Sequence, residues 1–426
     1  MTPATGQQSP PSLEHADWLT NPAIQAVFAA LADAGYSARA VGGAVRNALL
    51  GHEVADIDIA TTAHPEDVLS IMAGKGLKAV PTGVAHGTVT VVTAHLPVEV
   101  TTLREDVETF GRHAKVAFTA DWEADARRRD FTMNALYCNA DGSLFDPLGG
   151  YEDLAAGRVR FIGSARERIR EDYLRILRFF RFNATYGRGD YDRDGLTACV
   201  QEHAGLSQLS RERVRAELLR LLAAPRGLEA VETMLHWGLL VDVLGVAPQI
   251  GRLVRMISAE RLAAAPASGI LRLCALCIGT REDAERLAGR LRLSRREAGV
   301  LADCAWHELP GELTEGALAM RRLAYRFGRE RVERQALVRL AASRSKEEET
   351  TMLETLAQAG TWQPPSLPFS GADVMALGVP SGPRIGTILA SFESWWLAHD
   401  FPRDETLLAG KLRELAAAPD AEGRGT

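Results

Sequence analysis

Asp56 and Asp58 alternate with Ile57 and Ile59 in the run "ADIDIATT". Strand side chains alternate faces, so both carboxylates would point one way while the isoleucines enter a core. Two like charges this close repel and are stabilised by a cation beside them. Hard oxygen ligands at this spacing suit Mg²⁺, usually held by one or two carboxylates plus substrate phosphates. Asp-x-Asp alone also occurs on solvated strand faces, so other residues must separate the two readings. Glu99, in "LPVEVTTLRED", interrupts a valine-rich strand and can face the same side if the strands are neighbours. Three carboxylates converging from two strands would form a two-metal cradle. An exposed edge glutamate would carry the same pattern.

Ahead of them, Gly42 and Gly43 separate a strand from the helical run "AVRNALLG". Free backbone N–H groups and the helix dipole at such a junction can bind an anion, with Arg46 adding charge in the first turn. Neither G-x-G-x-x-G nor G-x-x-x-x-G-K-[ST] is present, which disfavours a dinucleotide fold and a P-loop. A tight strand-to-helix turn is the plainer reading. "RRRDFTMNAL" at 127–136 supplies Arg128, Arg129, Asp130 and Asn134. In "EDYLRILRFFR", Asp172, Arg175, Arg178 and Arg181 recur at every third position. Each step of three turns back by about 60° on a helix, so the four wind across half its surface while Tyr173, Ile176, Leu177 and Phe180 share the buried side. Asp172 and Arg175 could also form an ordinary i,i+3 salt bridge worth roughly a few tenths of a kcal/mol.

These residues need elements to position them. Over 21–150 the pattern is mixed α/β. "TNPAIQAVFAALADAG" has an N-cap, an early proline, apolar periodicity and a closing glycine, and "HPEDVLSIMAGKG" predicts a second helix. "SARAVGG", "ADIDIATT", "HGTVTVVTA" and "LPVEVTTL" are short, β-branched and bounded by turn residues, so they predict strands. From about 160 onward strand signals nearly vanish and helical periodicity dominates. The expected fold is α+β: a small mixed head with a short sheet, followed by a long all-α neck, body and tail. Breaks near 221–228 ("LLAAPRGL") and 360–369 ("GTWQPPSLPF") divide the helical part. The expected segments are a disordered tail over 1–21, a head over 22–150, a neck over 151–225, a body over 226–360 and a tail over 361–426.

Composition bounds the setting. With 426 residues, 46% hydrophobic and 24% charged, the chain reads as an ordinary globular protein of several domains. No apolar run is long enough for a membrane span, and the first residues lack the pattern of a signal peptide. The five cysteines are odd in number and scattered, which points to a reducing compartment and a cytoplasmic protein. Cys274 and Cys277 form a C-x-x-C inside an apolar helical run with no second pair, so they read as core thiols rather than a zinc or redox site. The net charge of −6 argues against a wholly basic nucleic-acid binder, yet 160–220 holds thirteen arginines, no lysine and nine acids. Arginine suits planar, bidentate contacts to phosphates and bases, although arginine-rich helices are often only solvated.

The ordered set "GGAVR", "LLG", "DIDIATTAHPEDV", "VEVTTLRED", "RRDFTMNAL", "DPLGGYEDLAAGRVRFIG" and "REDYLRILRFFRF" resembles the class II tRNA nucleotidyltransferases. These form the CCA-adding branch of a superfamily shared with bacterial poly(A) polymerases. The resemblance is dense over 40–220 and returns weakly at 368–389. It implies a Mg²⁺-dependent enzyme that adds CCA to tRNA 3′ ends from CTP and ATP, releasing pyrophosphate. Asp56 and Asp58 would be the metal ligands and Glu99 the supporting carboxylate. Gly42, Gly43, Arg46 and Arg129 would hold the incoming nucleotide, and Asp130 and Asn134 would shape its ribose and triphosphate pocket. Asp172 and Arg175 would act as a protein template for the base edge, with Arg178 and Arg181 reaching towards the triphosphate. A carboxylate accepts from the exocyclic amine that cytosine and adenine share, and a guanidinium donates to a ring nitrogen or carbonyl.

Asn47 departs from the family's aspartate, and no role is carried onto it. "LSRERVRAEL" (209–218) resembles a segment that braces the neck helix, and the 103–121 stretch lies where the family has a flexible loop needed for the final A. Helical body and tail would grip tRNA by shape and phosphates. A poly(A) polymerase, a CC- or A-adding enzyme, or a catalytically silent RNA-binding protein on the same scaffold are the competing readings. A phosphohydrolase site is disfavoured because His399-Asp400 is the only adjacent His-Asp pair. Oligomeric state has no signature in the sequence.

Overall fold

The computed structural model describes residues 11–93, 96–110, 113–305 and 316–418. The chain forms two compact units, Met1–Ala247 with Arg290–Arg292, and Pro248–Gly289 with Leu293–Thr426. The division therefore falls at 247/248, and the expected head, neck and first part of the body share one unit.

In the first unit the strands are β1 (Ala38–Val41), β2 (Ile57–Thr61), β3 (Lys78–Gly83), β4 (Thr88–Thr93), β5 (Leu96–Thr102), β6 (Arg104–Phe110), β7 (His113–Phe118), β8 (Tyr137–Cys138) and β9 (Leu144–Phe145). Its helices begin with α1 (Asp17–Thr20), α2 (Pro22–Asp33), α3 (Gly43–Leu49), α4 (Pro65–Gly74), α5 (Trp122–Arg127) and α6 (Gly150–Ala156). They continue with α7 (Ala165–Glu171), α8 (Leu174–Tyr186), α9 (Arg193–Gln201), α10 (Arg211–Ala223), α11 (Gly227–His236) and α12 (Leu239–Leu244). The main sheet has the order β3-β4-β5-β2-β1-β8-β9, and β6 pairs with β7 alone.

The four expected strands are β1, β2, β4 and β5, and their register positions the chemistry. β2 runs parallel to β5 with Asp58 opposite Glu99, while β1 pairs antiparallel with Val41 opposite Asp58. Ile57, Ile59, Val98 and Val100 are buried, so the alternating carboxylates of the two neighbouring strands share the other face. α2 starts as its sequence demands: the Asn21 side chain accepts from Ala23 N–H at 2.9 Å, and Ile24, Val27, Phe28 and Leu31 fill the core.

Three expectations change. β3 was not foreseen, because Pro81 in "KAVPTG" reads as a breaker; the strand sits at the sheet edge, where a missing N–H is tolerated. The 103–121 stretch, expected as a loop, forms the β6–β7 hairpin, whose first strand "REDVETF" is too acidic to signal β structure. Residues 111–112 within "FGRH" lie outside the described residues. The third change concerns the expected disordered segment 1–21. Residues 11–21 pack against the head: Leu13 and Leu19 are buried, and Leu13 N–H donates to Gly142 O at 2.9 Å.

Among the described residues the second unit holds helices and no strands. Cys274 and Cys277 lie on the helix Gly269–Cys277, buried and unbridged, and all five cysteines are free. The core-thiol reading holds. Phe392, Trp396, Val374, Leu408 and Leu412 form a separate apolar cluster near the C-terminus. No described helix is long and apolar enough to cross a membrane.

Gly142 has φ +86°, and a Cβ there would lie 2.2 Å from the backbone nitrogen of Glu14. Gly142→Ala is expected to strain the turn and displace the N-terminal segment, costing about 1–3 kcal/mol. Urea unfolding and faster proteolytic trimming of residues 11–20 check it; unchanged trimming would contradict the packing described.

Candidate nucleotide site

The β1–α3 connection turns on Gly42, whose φ of +69° lies in the left-handed region that favours glycine. A Cβ at Gly42 would stand 3.7 Å from Arg129 Nη1 and 3.9 Å from Asn134 O, so this turn brings the backbone close to the 129–134 segment. Gly42 N–H donates to Leu136 O at 3.3 Å and closes that approach.

Three buried carboxylates then organise the arginines. Asp125, on α5, meets Arg128 at 2.6 Å and Arg129 at 2.9 Å, and accepts from Tyr137 OH at 2.8 Å. Burial alone would raise its pKa, but the two guanidinium groups and the Tyr137 hydroxyl hold it down at about 2. Asp130 accepts from Phe131 N–H at 2.9 Å, Asn134 Nδ2 at 2.8 Å and Arg178 Nη2 at 2.6 Å. Burial again opposes its ionisation, and Arg178 with these hydrogen bonds holds it at about 2. Glu217, on α10, takes Arg181 at 2.5 Å and lies 3.6 Å from Arg178.

Asp172 is not part of one continuous helix. Its backbone is extended, with φ −154° and ψ 104°, and it separates α7 from α8. The i,i+3 pair with Arg175 therefore does not form. Asp172 instead accepts from both terminal nitrogens of Arg213 at 3.2 and 2.6 Å, and from Leu174 N–H at 3.2 Å. Arg175 turns to Glu171 at 2.5 Å and to Arg168 O at 2.7 Å. Arg168 in turn donates to the carbonyls of Arg128 and Arg129, the latter at 2.7 Å.

A cavity of about 410 Å³ opens among these groups. Gly42, Gly43 and Arg46 form one wall, Asp58 a second, and Arg129, Asp130 and Asn134 a third; Asp172, Arg175 and Arg178 close it from the neck. Arg128, Leu174, Phe182 and Arg213 also line it. The segment "LSRERVRAEL", expected to brace the neck helix and to come near the nucleotide or RNA without a catalytic role, places its second arginine, Arg213, at the cavity. Arg181 stands apart from the other candidate arginines. It is turned to Glu217 and stacks on Phe182 at 4.4 Å instead of lining the cavity, because its helical position faces α10.

The carboxylates meet one test of fitness for a hard cation. Asp58 is pushed up to about 6, first by burial and then by the charge of Glu99, with Asp56 adding to it and Arg129 opposing. Arg129 offsets only part of this carboxylate repulsion, and hard oxygen donors beside a phosphate-sized cavity are what Mg²⁺ takes. Asp56 precedes β2 and is exposed, as is Glu99. Among the described residues no three such groups close into a cage that could hold an ion alone. The fit is therefore one of two carboxylates with substrate phosphates completing the shell, and the three-carboxylate cradle is not formed by the protein itself.

Asp125 and Asp130 stay ionised in the folded state below their ordinary range. Their stabilising contribution is present above pH ~4 and is lost as pH falls towards 2, on the order of 2 kcal/mol for each. Urea midpoints between pH 2 and 7 should show this acid limb. Asp125→Asn is expected to flatten part of it and to lower stability at neutral pH by about 3–5 kcal/mol, since two half-buried guanidinium groups lose the buried counter-charge they share.

Two described families match parts of this chain. A family described as "Poly A polymerase head domain" matches residues 38–160, and one described as "Probable RNA and SrmB- binding site of polymerase A" matches residues 192–251. The mitochondrial CCA tRNA nucleotidyltransferase 1 of Mus musculus is 34% identical over 387 residues, covering 88% of this chain and 86% of the relative. The CCA-adding enzyme of Geobacillus kaustophilus is 39% identical over 229 residues, 53% of this chain and 55% of that one. The crystal structure of the Bacillus stearothermophilus CCA-adding enzyme in complex with CTP is similar with a TM-score of 0.67 at 29% identity, covering 92% of this chain and 96% of that chain. The chain belongs to the CCA tRNA nucleotidyltransferase family.

Proposed function

We propose that this protein builds the CCA end of tRNA, joining two residues from CTP and one from ATP to the 3′ end and releasing pyrophosphate. In each step the tRNA 3′-OH attacks the α-phosphate of the nucleotide and the bond to the β-phosphate breaks. The observation that carries this reading is the cavity in which Gly42, Gly43 and Asp58 meet Asp172 and Arg175.

Asp56 and Asp58 are the proposed Mg²⁺ ligands, and Glu99, directly across the β2–β5 register, adds charge that favours a cation there. When bound, Mg²⁺ supplies charge neutralisation on the triphosphate and acidifies the attacking hydroxyl. Arg46 and Arg129 hold the triphosphate against the Gly42–Gly43 turn, and Asn134 with Asp130 shapes the ribose side. Asp172 already accepts three hydrogen bonds from Arg213 and Leu174. A carboxylate has about four lone-pair positions, so one remains for the exocyclic amine of cytosine or adenine. Uracil and guanine present the wrong pattern, and a site that leaves such groups unpaired rejects them. Arg178 bridges Asp130 and the triphosphate side; Arg181 acts through Glu217, which it shares with Arg178.

The finer division follows the same reading. Residues 22–150 form the catalytic head and 151–225 the base-recognition neck, while 226–360 and 361–426 bind tRNA. The five free, buried thiols support a reducing compartment, and the cytoplasm is the proposed location.

Incubation with Mg²⁺, CTP, ATP and a tRNA ending at the discriminator base, followed by 3′-end sequencing, tests the proposal. Uniform CCA ends are expected; long A tails, CC alone or A alone would make it a different nucleotidyltransferase, and no extension would favour a silent RNA-binding protein. Asp58→Ala is expected to abolish transfer while tRNA binding persists. Arg175→Ala is expected to lose about 1–3 kcal/mol of discrimination, read as UTP or GTP incorporation in competition with CTP.

A further inference from the structure

Arg46 is buried beside the cavity, yet its hydrogen-bond partners are uncharged: Asn134 Oδ1, Asn47 Oδ1 at 3.1 Å and Tyr186 OH at 2.8 Å. A guanidinium with neutral partners keeps its full charge for an anion, but neutral hydrogen bonds are the weaker means of holding it in place. Orientation then has to come from several contacts at once, and Tyr186 supplies two of them. Its ring centroid lies 4.3 Å from the Arg46 guanidinium carbon, and its hydroxyl accepts from Arg46 while donating to Asn47 Oδ1 at 3.2 Å.

The same cluster reaches two other parts of the site. Tyr186 is the last residue of α8, the helix that carries Arg175 and Arg178. Asn47 Nδ2 donates to Glu53 O at 3.2 Å, and Asn47 O accepts from His52 N–H at 2.8 Å, which fixes the segment leading into Asp56. The His52 ring lies against Tyr186 with an interplanar angle of 25°. One phenol, at the end of the helix that carries Arg175 and Arg178, thus contacts Arg46 directly and the approach to the carboxylates through Asn47.

We infer that Tyr186 is a positioning residue that, with Asn47, sets Arg46 for the nucleotide triphosphate. The inference rests on the nucleotide-binding role proposed for Arg46. Tyr186 does not line the cavity, so it acts through Arg46 and leaves base choice to Asp172 and Arg175. The Asn47 side chain offers a built-in check. A carboxylate at that position would grip the guanidinium by charge, without needing the hydroxyl, while giving up the Asn47 Nδ2 bond to Glu53 O.

Equilibrium dialysis with CTP and steady-state incorporation should be run on the parent, on Tyr186→Phe and on the double variant Tyr186→Phe/Asn47→Asp. The phenylalanine keeps the ring and removes only the hydroxyl. Losing one such hydrogen bond is expected to weaken CTP binding and raise KM roughly three- to tenfold, with kcat and the preference for CTP over UTP little changed. The added carboxylate is expected to restore part of that loss. CTP affinity unchanged in Tyr186→Phe, or a loss that falls on kcat and thermal midpoint instead of KM and that Asn47→Asp does not restore, would overturn the inference. Dialysis reads CTP affinity whether or not the nucleotide is incorporated, so a parent that binds CTP without extending tRNA would refute the proposed reaction and still leave this contact measurable.

Discussion

The buried carboxylate of Asp130 is the interaction on which the site depends. It takes the N–H of Phe131 and the amide of Asn134 from its own segment, and the guanidinium of Arg178 from α8. Removing a carboxylate from water costs several kcal/mol, an expense offset only when hydrogen bonds and a counter-charge surround it. Those partners are also the groups that need placing. Asn134 is turned so that its oxygen meets Arg46, and Arg178 is held at the cavity wall. A single desolvated charge therefore joins the sheet-based head to the helical neck, and the cavity is the space left between the groups it fixes.

Arginine is the residue type that makes such an arrangement possible. Arg168 and Arg175 each serve more than one acceptor, taking Glu171 on one side and backbone carbonyls of the neck or head on the other. Five donors in a planar fork can satisfy structural partners and still present N–H groups to a ligand; an ammonium, with a compact charge on a flexible stem, cannot divide its work in that way. The absence of lysine from 160–220 then has a structural sense: this stretch builds a network, whereas scattered surface charge would serve equally well with either residue.

Where local pattern determined structure, the sequence was legible. Alternation placed Asp58 and Ile59 on opposite faces of β2, and the Gly42–Gly43 pair marked the turn into α3. The neighbour relation of Asp58 and Glu99 was conditional in the sequence and was decided by the parallel pairing of β2 with β5, a long-range choice. The break at Asp172 was hidden because "REDYLRI" contains no glycine or proline and fits a helix throughout. What makes its backbone extended is tertiary: Arg213, forty-one positions later, takes the carboxylate. Leu13 and Leu19 were hidden for the same reason, as isolated apolar residues in a polar stretch whose anchoring contact is Gly142. In each case the missing information lay in a partner far along the chain.

Chemistry and selection sit on different elements. In the proposed assignment the head carries the carboxylates, and the residues that read the base stand at the start of the neck helix. The two are tied through Arg168 to the carbonyls of Arg128 and Arg129, and through Arg178 to Asp130. The groups proposed to read the base already hold partners, Asp172 with Arg213 and Arg175 with Glu171. An incoming base must add to those bonds or compete with them, so it gains only if its own donors and acceptors match the positions left open. A mismatched base meets a closed set of ion pairs and leaves its polar edge desolvated without a partner. On the proposed assignment, discrimination of this kind needs no nucleic-acid template: Asp172 and Arg175 are preorganised, and the network that holds them is continuous with the one around Asp130 and Arg46.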